Sequence, residues 1–135
     1  MPLLLDTGIL YALADEDDDW HKPARDFLRK QRLPLLTPVT VLPEVAYLLR
    51  SRLGPEAERL FVESVAAAEL IAENLTAGDL ARSAALLRQF EFLGFVDASI
   101  VAVAERLRLR SIVTTDRRDF RRVRPRHVPA FELLP

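Results

Sequence analysis

Cysteine is missing from this chain, which excludes a disulfide framework, a thiolate zinc site and a cysteine nucleophile. The absence is compatible with a reducing cytosol. Histidine is almost missing: His21 and His127 are the only two. Long apolar runs are lacking as well, and nothing approaches the roughly 20 residues of a membrane span. The start, Met1-Pro2-Leu3-Leu4-Leu5-Asp6, carries no basic segment of the kind that opens a secretory leader. These absences lead us to expect a cytoplasmic protein with no membrane partner. No Gly-x-Gly-x-x-Gly or phosphate loop follows the first apolar run, so a dinucleotide-binding domain has no support. Lysine is scarce too: of 19 basic residues, only Lys22 and Lys30 are not arginine.

What is present fits one domain over residues 1–135. Half of the residues are apolar, and a chain of this length buries roughly two-thirds of its unfolded surface. The net charge of −1 conceals a polarity. Asp15-Glu16-Asp17-Asp18-Asp19 is an acidic run, whereas the stretch 106–126 is crowded with arginines against only Asp116 and Asp119. Arginine's planar fork suits phosphate. A solvated surface explains the same composition equally well.

Short apolar runs alternate with amphipathic stretches. Leu3-Leu4-Leu5 reads as a buried strand ended by Asp6, followed by a short helix over Thr7–Ala14. A helix over 20–31 is expected, with Asp19 as its cap and Trp20, Ala24, Phe27 and Leu28 on one face. A strand at Leu33–Leu36, helices over 39–53 and 55–67 parted at Gly54-Pro55, and a strand at Leu70-Ile71 follow. Thr76 opens a helix reaching Phe92, Gly94 breaks the chain, and Val96–Leu107 is helical. Ser111–Thr114 and Phe131–Leu134 complete the strands. Alternation of this kind predicts an α/β fold: βαβ units and a mainly parallel sheet covered on both faces.

Four acids stand where an acid is costly. Asp6 and Asp116 end apolar strands, and the carboxyl ends of strands form the ligand crevice of open parallel sheets. Asp97 shares a helix face with Ile100, Val101 and Ala104, and Glu44 is bordered by Val41, Val45 and Leu48. Taken singly, each aspartate suits a cap or turn, and Glu44 suits a side chain reaching solvent. Brought into one crevice, they would repel strongly, and a doubly charged cation would relieve the repulsion. Oxygen ligands without His or Cys suit Mg²⁺ or Mn²⁺. Ions so held can activate water for phosphodiester cleavage, with nearby arginines holding the strand.

The segments Leu4-Leu5-Asp6-Thr7, Glu44-Val45-Ala46, Phe95-Val96-Asp97-Ala98-Ser99-Ile100-Val101-Ala102 with Ala104-Glu105-Arg106-Leu107, and Thr114-Thr115-Asp116-Arg117-Arg118-Asp119-Phe120 resemble the PIN-domain nucleases, the VapC-like toxins in particular. The match in order and spacing runs over nearly the whole chain. The resemblance implies a three-layer α/β/α fold and an acid quartet, Asp6, Glu44, Asp97 and Asp116, that binds Mg²⁺ or Mn²⁺. It implies Asp6 and Asp97 as principal metal ligands, a metal-activated water as nucleophile, RNA as substrate, a small VapB-like antitoxin and a homodimer formed through early helices, where Phe27, Tyr47 and Leu48 offer apolar faces. Asp119 is an alternative fourth ligand or the cap of a short turn. Thr7 and Thr115 flank two of the acids and either orient a carboxylate or close a turn. Pro43 before Glu44 departs from the family's usual small or aliphatic residue, and a kink there would turn Glu44 aside.

Three functions compete on this reading: an endoribonuclease toxin, an RNA-processing nuclease without antitoxin, and an inactive RNA-binding module. His21 beside the acidic run, His127 in an arginine-rich loop and the Trp20/Phe27 pair are weaker signals. His21 reads better as a surface helix start, His127 equally well as part of a solvated loop, and Trp20 and Phe27 better as core or dimer-contact residues.

Overall fold

A computed structural model describes all residues, 1–135. Five short strands form one sheet in the order β3-β2-β1-β4-β5, and every pairing is parallel. They are β1 (Leu3–Leu5), β2 (Leu35–Pro38), β3 (Ile71–Glu73), β4 (Ser111–Val113) and β5 (Glu132–Leu134). Parallel neighbours need crossovers, and seven helices supply them: α1 (Thr7–Ala14), α2 (His21–Arg29), α3 (Val41–Leu53), α4 (Pro55–Ala66), α5 (Ala77–Gln89), α6 (Phe95–Leu107) and α7 (Arg117–Arg122). Helices α1 to α4 pack among themselves and α5 pairs with α6. The result is the expected three-layer α/β/α arrangement.

Strand β1 lies at the centre, buried on both faces, which is why its sequence is an unbroken apolar run rather than an alternation. Helix α6 is the other core element: Ala98 to Ala104 are all buried. Leu4, Leu5, Ile100, Val101, Ile112 and Val113 join one hydrophobic cluster that unites sheet and helix. The order of strands reverses between β1 and β4, the point at which open α/β sheets place their ligand crevice, at the carboxyl ends of the strands.

Several local expectations shift. The cap of α2 is not Asp19: Trp20 stands at the cap without a side-chain bond, and Asp18 instead accepts from the Trp20 amide at 2.8 Å. Strand β2 starts at Leu35 rather than Leu33 and runs on through Thr37 and Pro38, whose partners are Ala72 and Glu73. Gly54 takes φ 102°, the left-handed region that favours glycine, and lets α3 end and α4 begin at Pro55 with no connecting residue besides itself. Pro43 causes no break. It sits in the first turn of α3, where amide groups have no partner within the helix anyway.

Candidate active site

Each candidate acid stands at a helix start. Asp6 follows β1 and is the N-cap of α1, its Oδ1 accepting from the Ile9 amide at 3.0 Å. Glu44 lies in the first turn of α3, and Asp97 in the first turn of α6. Asp116 follows β4 and caps α7, accepting from the Asp119 amide at 3.2 Å; Asp119 itself lies in the first turn of α7. A capping role and a place in the crevice therefore coexist for Asp6 and Asp116. The partial positive charge at a helix N-terminus favours each carboxylate and offsets part of their mutual repulsion.

The acids are close enough to feel one another. Carboxylate oxygens of Asp97, Asp116 and Asp119 lie within 4.8 Å of each other. Burial pushes Asp6 up to about 6, with the charges of Asp116 and Glu44 adding to it against the hydrogen bonds from Thr114 and Ile9. Burial also pushes Asp97 up to about 7, and the charges of Asp6, Asp116, Glu44 and Asp119 raise it further. None of the five forms an ion pair with arginine or lysine. Asp6 is only 4% exposed, so water screens it little.

The hydroxyl that organises this crevice is one the sequence reading passed over. Thr114, fully buried, donates to Asp6 Oδ2 and accepts from the Asp116 amide at 2.8 Å. Thr115, by contrast, packs on Gly8, where an added Cβ would run into its Oγ1 and force that hydroxyl to move. Thr7 Oγ1 is buried and has no partner. Asp119, for which a turn cap was the alternative role, is not a cap: Asp116 caps and Asp119 joins the acids. Glu44 is the outlying member, exposed at the rim and absent from the tight trio, though its charge reaches both Asp6 and Asp97.

The donor set fits a hard divalent cation. It is all oxygen, it carries uncompensated negative charge, and an unpartnered hydroxyl stands next to Asp6 in sequence. The histidines take no part. His21 Nδ1 lies 2.8 Å from the Ala12 carbonyl, and His127 Nε2 lies 2.6 Å from that of Leu109. Trp20 lies under the Arg117 guanidinium, 5.6 Å from its ring centre.

Comparison with known proteins agrees with this fold. Residues 3–125 match the model of the PIN domain, and the chain belongs to the PIN-domain family. It is 27% identical over 135 residues to ribonuclease VapC26 of Mycobacterium tuberculosis, covering 98% of this chain and 100% of the relative. Among solved structures, VapC20 of the same organism, described as a sarcin–ricin loop cleaving toxin, superimposes with a TM-score of 0.79 at 24% identity, over 86% of this chain and 91% of that one. A toxin–antitoxin complex from Klebsiella pneumoniae gives 0.71 at 22% identity, over 96% and 99% of the two chains. VapBC2 from Rickettsia felis, bound to a DNA fragment from its promoter, gives 0.74 at 18% identity, over the whole of both.

Proposed function

We propose that this chain is a metal-dependent endoribonuclease and the toxin of a VapBC-like toxin–antitoxin pair. The observation that carries the reading is the convergence of Asp6, Asp97, Asp116 and Asp119, with Glu44 at the rim, on one crevice without a compensating cation. Asp97, Asp116 and Asp119 would hold Mg²⁺ or Mn²⁺, with Asp6 and Glu44 completing its surroundings. An ion held there would supply water activation and charge neutralisation for phosphodiester hydrolysis. Thr114 fixes the rotamer of Asp6 and the backbone of Asp116, so the acids are held before substrate arrives. Arg118, Arg121 and Arg122, exposed on the same short helix as Asp119, attract the RNA backbone to an otherwise acidic mouth.

The relatives solved with an antitoxin support the same partner here, a small protein whose segment covers the acids. The homodimer fits the α3–α4 surface, where Tyr47 is 71% exposed and Leu53, Leu60 and Val62 also face solvent. No helix is long and apolar enough to cross a membrane.

The test is cleavage of total cellular RNA by the purified chain and by Asp97→Asn, each with Mg²⁺, Mn²⁺ or EDTA. Cutting should require metal and fall by at least about 10³-fold in the variant, the scale of losing a preorganised group at the reacting centre. Equal cutting by both proteins would remove the acid-cluster mechanism.

A further inference from the structure

Glu44 and Asp97 stand on two helices, α3 and α6, that share no extended contact; each rests on β2 instead. Neither helix opens with a side-chain cap. Thr40 has the residue type for a cap and stands at the cap position of α3, but its φ of −63° and ψ of −25° are already helical. A capping hydroxyl starts from extended backbone to reach the first amides, so that of Thr40 is free for another partner. The partner is Ser99 of α6: the two hydroxyl oxygens lie 2.6 Å apart, across 59 residues of sequence. Ser99 is fully buried, and its Oγ also lies 2.6 Å from the Val96 carbonyl oxygen. A carbonyl only accepts, and a serine has one proton to give. Both contacts are hydrogen bonds only if Ser99 donates to Val96 and Thr40 donates to Ser99. The chain Thr40–Ser99–Val96 thus runs from the start of α3 into the first turn of α6. It begins one turn before Glu44, on the same face of α3, and ends on the residue before Asp97.

We propose that Thr40 and Ser99 are positioning residues that hold Glu44 within reach of Asp97 and so set the affinity of the crevice for a divalent cation. This rests on the metal-dependent reading above. The charge of Glu44 raises Asp97, so the two carboxylates face each other across the same seam that the hydroxyls bridge. Their repulsion acts to open that seam whenever no cation lies between them. Glu44 is exposed at the rim and has no ion-pair partner to hold it. Its place therefore depends on where the first turn of α3 is set, and the Thr40–Ser99 bond sets it. A neutral link suits this task. An arginine or lysine at the seam would fix the acids as firmly but would compete with the cation for them, as Arg106 does at Asp79.

The experiment is a Mn²⁺ titration of the purified chain, read by the electron paramagnetic resonance signal of free Mn²⁺, with melting curves in EDTA beside it. Thr40→Val, which keeps the shape of the side chain, and Ser99→Ala should each weaken Mn²⁺ binding by roughly five-fold, the worth of one neutral hydrogen bond. The double variant should lose no more than either alone, because both remove the same link. Thr40→Ser, which keeps the hydroxyl, should bind Mn²⁺ like the parent. On a Glu44→Gln background, Thr40→Val should change nothing further, since the carboxylate it positions is gone. A merely structural pair would lower the melting temperature in EDTA and leave Mn²⁺ affinity as it was. That result overturns the proposal, and so does a Thr40→Val loss of the same size with Glu44→Gln in place. Cleavage bears on the nuclease reading alone: a chain whose Mn²⁺ affinity follows Thr40 and Ser99 but which cuts no RNA keeps the positioning pair and loses the nuclease.

Discussion

Asp79 and Asp6 are both buried aspartates at helix starts, 3% and 4% exposed, yet the chain treats them in opposite ways. Asp79 closes a capping box with Thr76 at the head of α5 and receives the Arg106 guanidinium at 3.0 Å. Burial alone would raise it, but Arg106 and the Thr76 bonds outweigh burial and hold it below the usual carboxylate range. Arg106 is itself shared with Glu73, and the neighbouring Arg82–Glu105 pair lies at 2.7 Å, so this corner between α5 and α6 is a closed set of charges. Asp6 and its neighbour in the crevice, Asp97, have hydrogen bonds or helix dipoles but no cation, and burial wins. The same residue type is structural where the chain brings its own counter-charge. Where the chain brings none, the carboxylate stays raised and open to a counter-charge from outside.

The contrast is broken most severely at the closed corner. Asp79→Ala should cost about 2–3 kcal/mol in a urea titration. That is short of the ~3–5 kcal/mol of a fully buried pair, because Arg106 is 30% exposed and keeps Glu73. Cleavage per folded molecule should stay near the parent's; a large loss there with stability intact would place Asp79 in the site after all.

Acidity sharpens the contrast next. Asp6 and Asp97 are raised from 3.8 to about 6 and about 7, so between about pH 4 and 7 the metal-free folded chain binds more protons than the unfolded chain. Their contribution to stability is complete below the unfolded value and is lost as pH rises through the folded ones. Asp79, held low, runs the other way: its contribution is present above pH 4 and lost on acidification. In EDTA the crevice should therefore lower stability by about 1–2 kcal/mol from pH 5 to 7.5, after allowance for relaxation. Saturating Mn²⁺ should restore this at pH 7.5 and do little at pH 5. Melting curves whose metal shift is the same at both pH values would show that protons and metal do not compete for these carboxylates.

The smallest effect is expected at Asp97. In EDTA at pH 7.5, Asp97→Asn should match the parent's stability or exceed it by up to about 1 kcal/mol, through relieved repulsion. Differential scanning calorimetry would decide. A variant melting well below the parent would make Asp97 a structural cap like Asp79.

The acids at strand ends were visible in the sequence because a charge terminating an apolar run is conspicuous, and so was the βαβ alternation that places such ends on one edge. Helix α7 was not, since Arg-Arg-Asp-Phe-Arg-Arg has a single apolar residue, Phe120, and no period to reveal a helix. That omission also hid the division of labour by which Asp116 caps and Asp119 faces the other acids. Thr114 was missed for a different reason. Two threonines stand side by side, and only the pairing of β4 with β1 decides which hydroxyl turns to Asp6. Likewise Arg82 and Arg106 look like any other arginines until α5 and α6 pack and bring Glu105, Asp79 and Glu73 to them.

By itself, the sequence determined which donors the site could offer, carboxylate oxygens with no cysteine beside them, and such donors suit hard divalent cations. It also determined the layering, because apolar periodicity is a local property of the chain. Which carboxylates find a counter-charge and which are left without one was decided only by the tertiary structure. Burial and the distance between charges, the two quantities that set a carboxylate's free energy, are products of packing between residues remote in the chain.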